Sequence, residues 1–416
     1  MVLYPEMTEL LLAKDYFGLE KALKDRDSQL SEVDKLYFRA HVESAINQTE
    51  QSLQTIDLLF SAHKKSLRNV IIYNLLILKH SNHIRQFEYK QAIETWYDVL
   101  AMLESYNILD SEKQEALIKQ MQGYKLLKNI PPQKIFHATD AIIPVNKTEF
   151  GHLTMQVICN GVTEEFVFDT GFNYSAISES VASRMGIQSL DGSTQVSAST
   201  GKLVDATMGV ADSLRIGDLL FENVVFNIFP DEKLTWTEYN YSLRGIIGLN
   251  LINQMKEIRI DHQAGNIVVP QTPVKRSLRN LFLGDGRPVV RLESGQDTLL
   301  FALDTGAAQS EFYNKYFDAH RERIVEKGQH LITTSYGIGG GVLTEKYELT
   351  DVPFKIDNFQ MTLPKIRVST QKIPNLLNYD GVLGQDVLMH FDKMILNFES
   401  MYLTFGETLN NSPVNR

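Results

Sequence analysis

Apolar residues recur at helical spacing through the first 132 positions. In FEYKQAIETWYDVLAMLESY, the residues Tyr89, Ile93, Trp96, Tyr97, Leu100 and Leu103 are expected to share one helical face. The preceding segment LRNVIIYNLLILKHSNHIRQ is apolar on most faces and predicts a buried helix. Glycine interrupts this region only at Gly18 and Gly123. Asp110 and Ser111 open a further helix, with Ser111 as the expected cap. Pro131 and Pro132 end the pattern, because proline cannot continue a helix and restricts the residue before it.

From about residue 134 the pattern changes to short β-branched and aromatic runs: HLTMQVI, EEFVFDT, VVFNIF, EIRID and NIVVP, separated by Gly, Asn and Asp. This predicts an all-β region with short helices, following an all-α region. One such helix is ISESVASRMGI, capped by Ser178, with Val181, Ala182 and Met185 on one face and Gly186 ending it. The β text repeats. FVFDTGFNYSAIS, STGKLVDATMG and RGIIGLNLI in the first copy answer to LFALDTGAAQSEF, YGIGGGVLTEKY and DGVLGQDVL in the second. Gly248 follows Asp169 by 79 residues, and Gly384 follows Asp304 by 80. A tandem duplication is expected, giving three domains: helices over 1–132, a first lobe over 133–272 and a second over 273–416, joined near QTPVKRS.

The chain has 416 residues, enough for more than one core. Its net charge of −10 and the absence of a Lys/Arg cluster argue against nucleic acid as a partner. Cys159 stands alone in an apolar run, so no intrachain disulfide forms and a buried strand position is expected. MVLYPEMTEL lacks the basic-then-apolar pattern of a signal peptide, and NVIIYNLLILK is too short to span a bilayer. The closing NNSPVNR is expected to be disordered. His80 and His83 could face the same way on a helix, but no carboxylate pattern accompanies them, so packing is expected and no metal.

The chemistry lies in the duplicated motif. Each copy has apolar residues, then Asp169-Thr170-Gly171 or Asp304-Thr305-Gly306, then Ser175 or Ser310, and later two apolar residues before Gly248 or Gly384. This set resembles the pepsin-like and retropepsin-like aspartic proteases over about 280 residues, and GIIGLNLI and DTGAAQS resemble the retropepsins and their bacterial relatives more closely. The resemblance implies an endopeptidase of two fused lobes, acting as a monomeric catalytic unit without a cofactor on an extended peptide or protein chain. In it Asp169 and Asp304 share one proton and activate water. Thr170 and Thr305 would lock the two loops across the lobe interface. Gly171 and Gly306 would let backbone approach the carboxylates, and Gly248 and Gly384 would lie behind the loops. Ser199, Thr200 and Gly201 would tip one flap, and Gly339, Gly340 and Gly341 the other.

Two departures stand out. Where pepsin-like enzymes place a hydroxyl after Asp-Thr-Gly, this chain has Phe172 and Ala307, and Phe172 is a candidate wall of the substrate pocket. The acid and arginine that brace retroviral dimers are replaced by Asn173 and Ala308, and by Leu249 and Gln385. A catalytically silent peptide-binding or scaffold protein, working through its helices, is the alternative. A third reading makes residues 1–132 an inhibitory pro-region. The helical layout resembles tetratricopeptide-like stacks without their signature, so a small solenoid or bundle is expected, either as scaffold or as a groove for a protein partner. Exported bacterial relatives would imply a periplasmic or secreted setting.

Overall fold

The computed structural model describes residues 3–373, 376 and 378–406; the NNSPVNR segment lies outside them. Seven α-helices come first, from Pro5–Leu12 to Ser111–Gln122, and strands dominate from Lys134 onward. Helix Glu32–Ala45 packs on Thr49–His63, and Asn69–Arg85 packs on Tyr89–Ser105. Both pairs turn in the same way. Asn47 and Phe87 hold φ of 65° and 60°, and the next amides, of Gln48 and Glu88, bond back to Glu43 O and His83 O at 2.8 and 2.9 Å. Phe87 is bulky for that conformation, and its burial among Ile84, Tyr89 and Ala92 offsets the strain. No helix among the described residues is long and apolar enough to cross a membrane.

Two helical expectations need correction. Helix Tyr89–Ser105 buries Tyr89, Ala92, Ile93, Thr95, Trp96, Val99 and Leu103, whereas Tyr97 is 51% exposed. The buried stripe therefore passes through Ala92 and Val99, small residues that let the neighbouring helix approach. The cap of the last helix is Asp110, whose carboxylate accepts the Lys113 amide at 2.9 Å; Ser111 is already inside the helix. Ser178 does cap helix Glu179–Arg184, accepting from the Val181 amide, and Gly186 follows with φ of 67°.

The strands form two main sheets, of 14 and 8 strands. The same weave occurs in each. Gly245–Ile247 runs parallel to Val162–Phe168 and antiparallel to Ser175–Ser178. Gly381–Leu383 runs parallel to Asp297–Leu303 and antiparallel to Glu311–Phe312. A short central strand is thus held between the strand entering each Asp-Thr-Gly and the strand leaving it. Gly245 and Gly381 are needed there, since a methyl on either would press within 2.5–2.6 Å of the Phe166 or Phe301 ring.

The halves are not separate bodies. The last strands, Lys393–Asn397 and Tyr402–Phe405, join the larger sheet through Glu257–Asp261, and one apolar core runs from Ala141 to Phe405. The joint around Val274 is fastened rather than loose. Glu257, fully buried, accepts the Val274 amide at 2.7 Å, Asn397 Nδ2 at 2.6 Å and Arg259 Nε at 2.6 Å. Replacing it strands two of these donors in the interior. Glu257→Ala should therefore cost on the order of 1–3 kcal/mol, the range for leaving buried donors without their acceptor. Urea unfolding of the variant against the wild type measures it.

Candidate active site

Each Asp-Thr-Gly loop is placed by its two neighbouring strands. The Asp169 amide bonds Ile247 O at 3.0 Å, and the Asp304 amide bonds Leu383 O at 3.1 Å. Gly248 and Gly384 pass directly behind the loops. A methyl on Gly248 would lie 2.8 Å from Phe172 O, and one on Gly384 would lie 2.8 Å from Ala307 O. Steric room, not backbone conformation, requires glycine at both positions.

The loops meet through their threonines. Thr170 Oγ1 donates to Leu303 O at 2.8 Å and accepts the Thr305 amide at 3.1 Å. Thr305 Oγ1 donates to Phe168 O at 2.8 Å and accepts the Thr170 amide at 3.0 Å. Both threonines are buried, and all four bonds cross between the two sheets. Gly171 and Gly306 then lie against the opposite carboxyl, so that a methyl on Gly171 would overlap Asp304 and one on Gly306 would overlap Asp169.

Asp169 and Asp304 thus face one another across the two loops, each carboxyl against the glycine of the other's motif. Gly171 donates to Asp169 Oδ1 at 2.7 Å and Gly306 to Asp304 Oδ1 at 2.9 Å. Asp169 keeps some solvent exposure, yet protein atoms crowd it closely. Burial above all, then the Asp304 charge and hydrogen bond, push its proton affinity well above the ordinary carboxyl range, while the Gly171 and Gly306 backbone bonds pull it down.

Ser175 and Ser310 support the loops in parallel ways. Ser175 Oγ accepts the Gly248 amide at 3.0 Å and donates to Asn250 Oδ1 at 2.9 Å. Ser310 Oγ accepts the Gly384 amide at 2.9 Å and donates to Asp386 Oδ1 at 2.7 Å. The sequence reading missed Asn250 and Asp386. Their signal was a polar residue two positions after each glycine and directly before two apolar ones. Gln385 donates to Thr305 O at 2.7 Å. His152 was also missed, and no motif marks it. It reaches the Gly306 backbone and lies in the field of Asp304; burial lowers its pKa, and those two contacts oppose the fall.

Ser199, Thr200 and Gly201 turn the hairpin between Thr194–Ser197 and Leu203–Ile216, with Gly201 at φ of 80°. The second hairpin joins Gln329–Gly337 to Gly340–Ile356. Its tip is Ile338 and Gly339, because Gly337 pairs with Gly340, and Gly341 is already in the ladder opposite Tyr336. The tips touch. Lys202 Nζ donates to Gly341 O at 3.0 Å, and Gly339 N donates to Lys233 O at 3.0 Å. Ile338 packs into an apolar cluster with Phe172, Ala198, Val204 and Phe229. Phe172 meets the edge of Phe229 with ring centroids 6.3 Å apart.

Other titratable groups serve packing. His80 Nδ1 pairs with Ala92 O at 2.8 Å and His83 Nδ1 with Glu88 at 2.7 Å. Cys159 is buried against Met185 O, and burial raises its thiol pKa.

With this geometry in place, residues 155–251 match a family model described as aspartyl protease. The matched segment holds Asp169 through Gly248; Asp304 lies beyond it. No curated protein matches the chain.

The raised affinity of Asp169 has a consequence for stability. An acid whose folded pKa lies above its unfolded value destabilises the fold once pH exceeds the unfolded value, about 3.9. Asp169→Asn should therefore raise the thermal midpoint at pH 7, and the gain should shrink to nothing as pH falls below that value. Thermal unfolding across pH 3–7 checks both. Thr170→Val and Thr305→Val each remove one donor and one acceptor from the buried crossing. Each should cost roughly 1–3 kcal/mol in urea unfolding.

Proposed function

We propose that the chain is an aspartic endopeptidase, in which Asp169 and Asp304 activate one water against the peptide carbonyl. The observation that carries this is the reciprocal pair of loops, each offering one carboxyl to a shared site with its partner's glycine alongside. The ionised member takes a proton from water and the protonated member polarises the carbonyl; one proton then passes to the leaving nitrogen. The match of residues 155–251 to the aspartyl protease family supports the reading. We assign Thr170, Gly171, Thr305, Gly306, Ser175, Ser310, Gly248 and Gly384 to dyad support, and the hairpins around Ser199–Gly201 and Ile338–Gly341 to flaps over an extended peptide. Phe172 would wall an apolar subsite.

Asp304→Asn should lower cleavage of an unfolded protein by on the order of 10²–10⁴-fold with the fold intact. Asp169→Asn should do the same, and the losses should not add. Retained cleavage in either variant refutes the dyad. Neither Phe172 nor Ala307 can donate a hydroxyl bond to the carboxyls. The shared proton is therefore held to higher pH than in a dyad with that donor, and a bell-shaped profile of roughly pH 4–6.5 is expected. Ala307→Ser should move the upper limb to lower pH, which rate against pH for the two proteins measures.

A further inference from the structure

We propose that Gln133, on the segment that leaves the helices, is a positioning residue for the first half of the dyad alone. The two supports behind the aspartate loops differ. In the second half, Asp386 is partly exposed and its Oδ1 accepts Ser310 N at 2.8 Å, Ser310 Oγ at 2.7 Å and Val387 N at 2.9 Å. Acceptors alone are needed there, and a carboxylate supplies them. In the first half the same place is held by Asn250, only 8% exposed. Its Oδ1 takes Ser175 N at 2.7 Å and Ser175 Oγ at 2.9 Å, as Asp386 does for Ser310. A charge buried this deeply would be costly, so a neutral amide serves. An amide, however, brings donors that must also be satisfied.

Gln133 meets that need. It is 3% exposed, and its Oε1 accepts Asn250 Nδ2 at 3.2 Å while its Nε2 donates to Asn250 O at 3.0 Å. Val225 O takes a further, longer bond from Asn250 Nδ2 at 3.3 Å. Gln133 is itself fixed by Gln254, through Oε1 at 2.7 Å and through Nε2 to its own carbonyl at 3.2 Å. The order of support is Gln133, Asn250, Ser175, Gly248, and then the loop of Asp169.

The helices reach the same half at two other points. Tyr124 faces Tyr174, in the loop after Asp169, with ring centroids 6.1 Å apart. Gly123 lies against Thr194, where the first flap begins. In the second half they meet Phe282, Asp285 and Arg291 on its first strands and the turn between them, and Ala45, Tyr16 and Phe17 share an apolar cluster with Leu300 and Tyr379. Residues 1–133 thus brace the loop of Asp169 through its immediate supports, Asn250 and Tyr174, which is a different role from a removable pro-region.

The test compares amide hydrogen exchange in wild type, Gln133→Met, Gln133→Glu and Gln254→Ala in the full chain. In Gln133→Met, the Ser175 and Gly248 amides should exchange roughly five- to tenfold faster, the scale of one lost net hydrogen bond, while Ser310 and Gly384 stay unchanged. Gln133→Glu keeps an acceptor for Asn250 but removes both donor bonds and buries a carboxylate, so the same amides should exchange at least as fast as in the methionine variant. Gln254→Ala, which leaves Gln133 in place without the partner that fixes it, should give a smaller rise at those amides and decides the matter if neither Gln133 variant folds. Equal change in both halves, or none, overturns the proposal. The kinetic arm rests on the endopeptidase reading. There, kcat of Gln133→Met should fall about tenfold with KM little altered. If wild type and Asp304→Asn do not differ in cleavage, it is the endopeptidase reading that fails, and the exchange result still decides the role of Gln133.

Discussion

Two carboxyls that would repel in water are held in contact by four hydrogen bonds that do not involve them. The crossed threonines, each donating to a carbonyl of the opposite strand and accepting the opposite amide, fix the loops before the aspartates interact. Every group in this crossing is buried and satisfied, so loosening one bond exposes unpaired donors and acceptors. That stiffness holds Asp169 where burial first, and the Asp304 charge second, raise its proton affinity.

The crossing needs both halves rigid, and the fold provides this through one continuous core. The C-terminal strands return to the sheet that carries the first motif, and buried Glu257 ties the joint between the halves to both. Where an intermolecular dimer would need an ion pair to brace its loops, Gln385 here bonds Thr305 O and the covalent connection does the rest. The hairpin tips meet each other and the first half, with Ile338 among Phe172 and Phe229. The symmetry of the loops is not matched by their surroundings. Asn250 and Asp386 hold the same place with different chemistry, because one is sealed under the helical segment and the other faces partly outward.

Much of this was legible along the chain. The two Asp-Thr-Gly motifs, their spacing to Gly248 and Gly384, and the change from helical to strand periodicity are local patterns with local causes. Contacts at a distance were not. Asn250, Asp386 and His152 belong to no motif, and Gln133 sits in a proline-flanked connection that reads as linker. The cap at Asp110 and the buried stripe through Val99 were misjudged because neighbouring candidates, Ser111 and Tyr97, have the same local propensities.

By itself, then, the sequence determined the helical and β regions and the two Asp-Thr-Gly motifs with their matching distances to Gly248 and Gly384. These depend on short-range periodicity and on side-chain chemistry that spacing reveals. The tertiary structure decided which carboxyl meets which glycine, how the last strands cross to the first sheet, and that Gln133 supports Asn250 behind the first loop while Asp386 behind the second is partly exposed. Those outcomes depend on burial, and burial is a property of the assembled chain: the same polar position takes an amide under cover and a carboxylate at the surface.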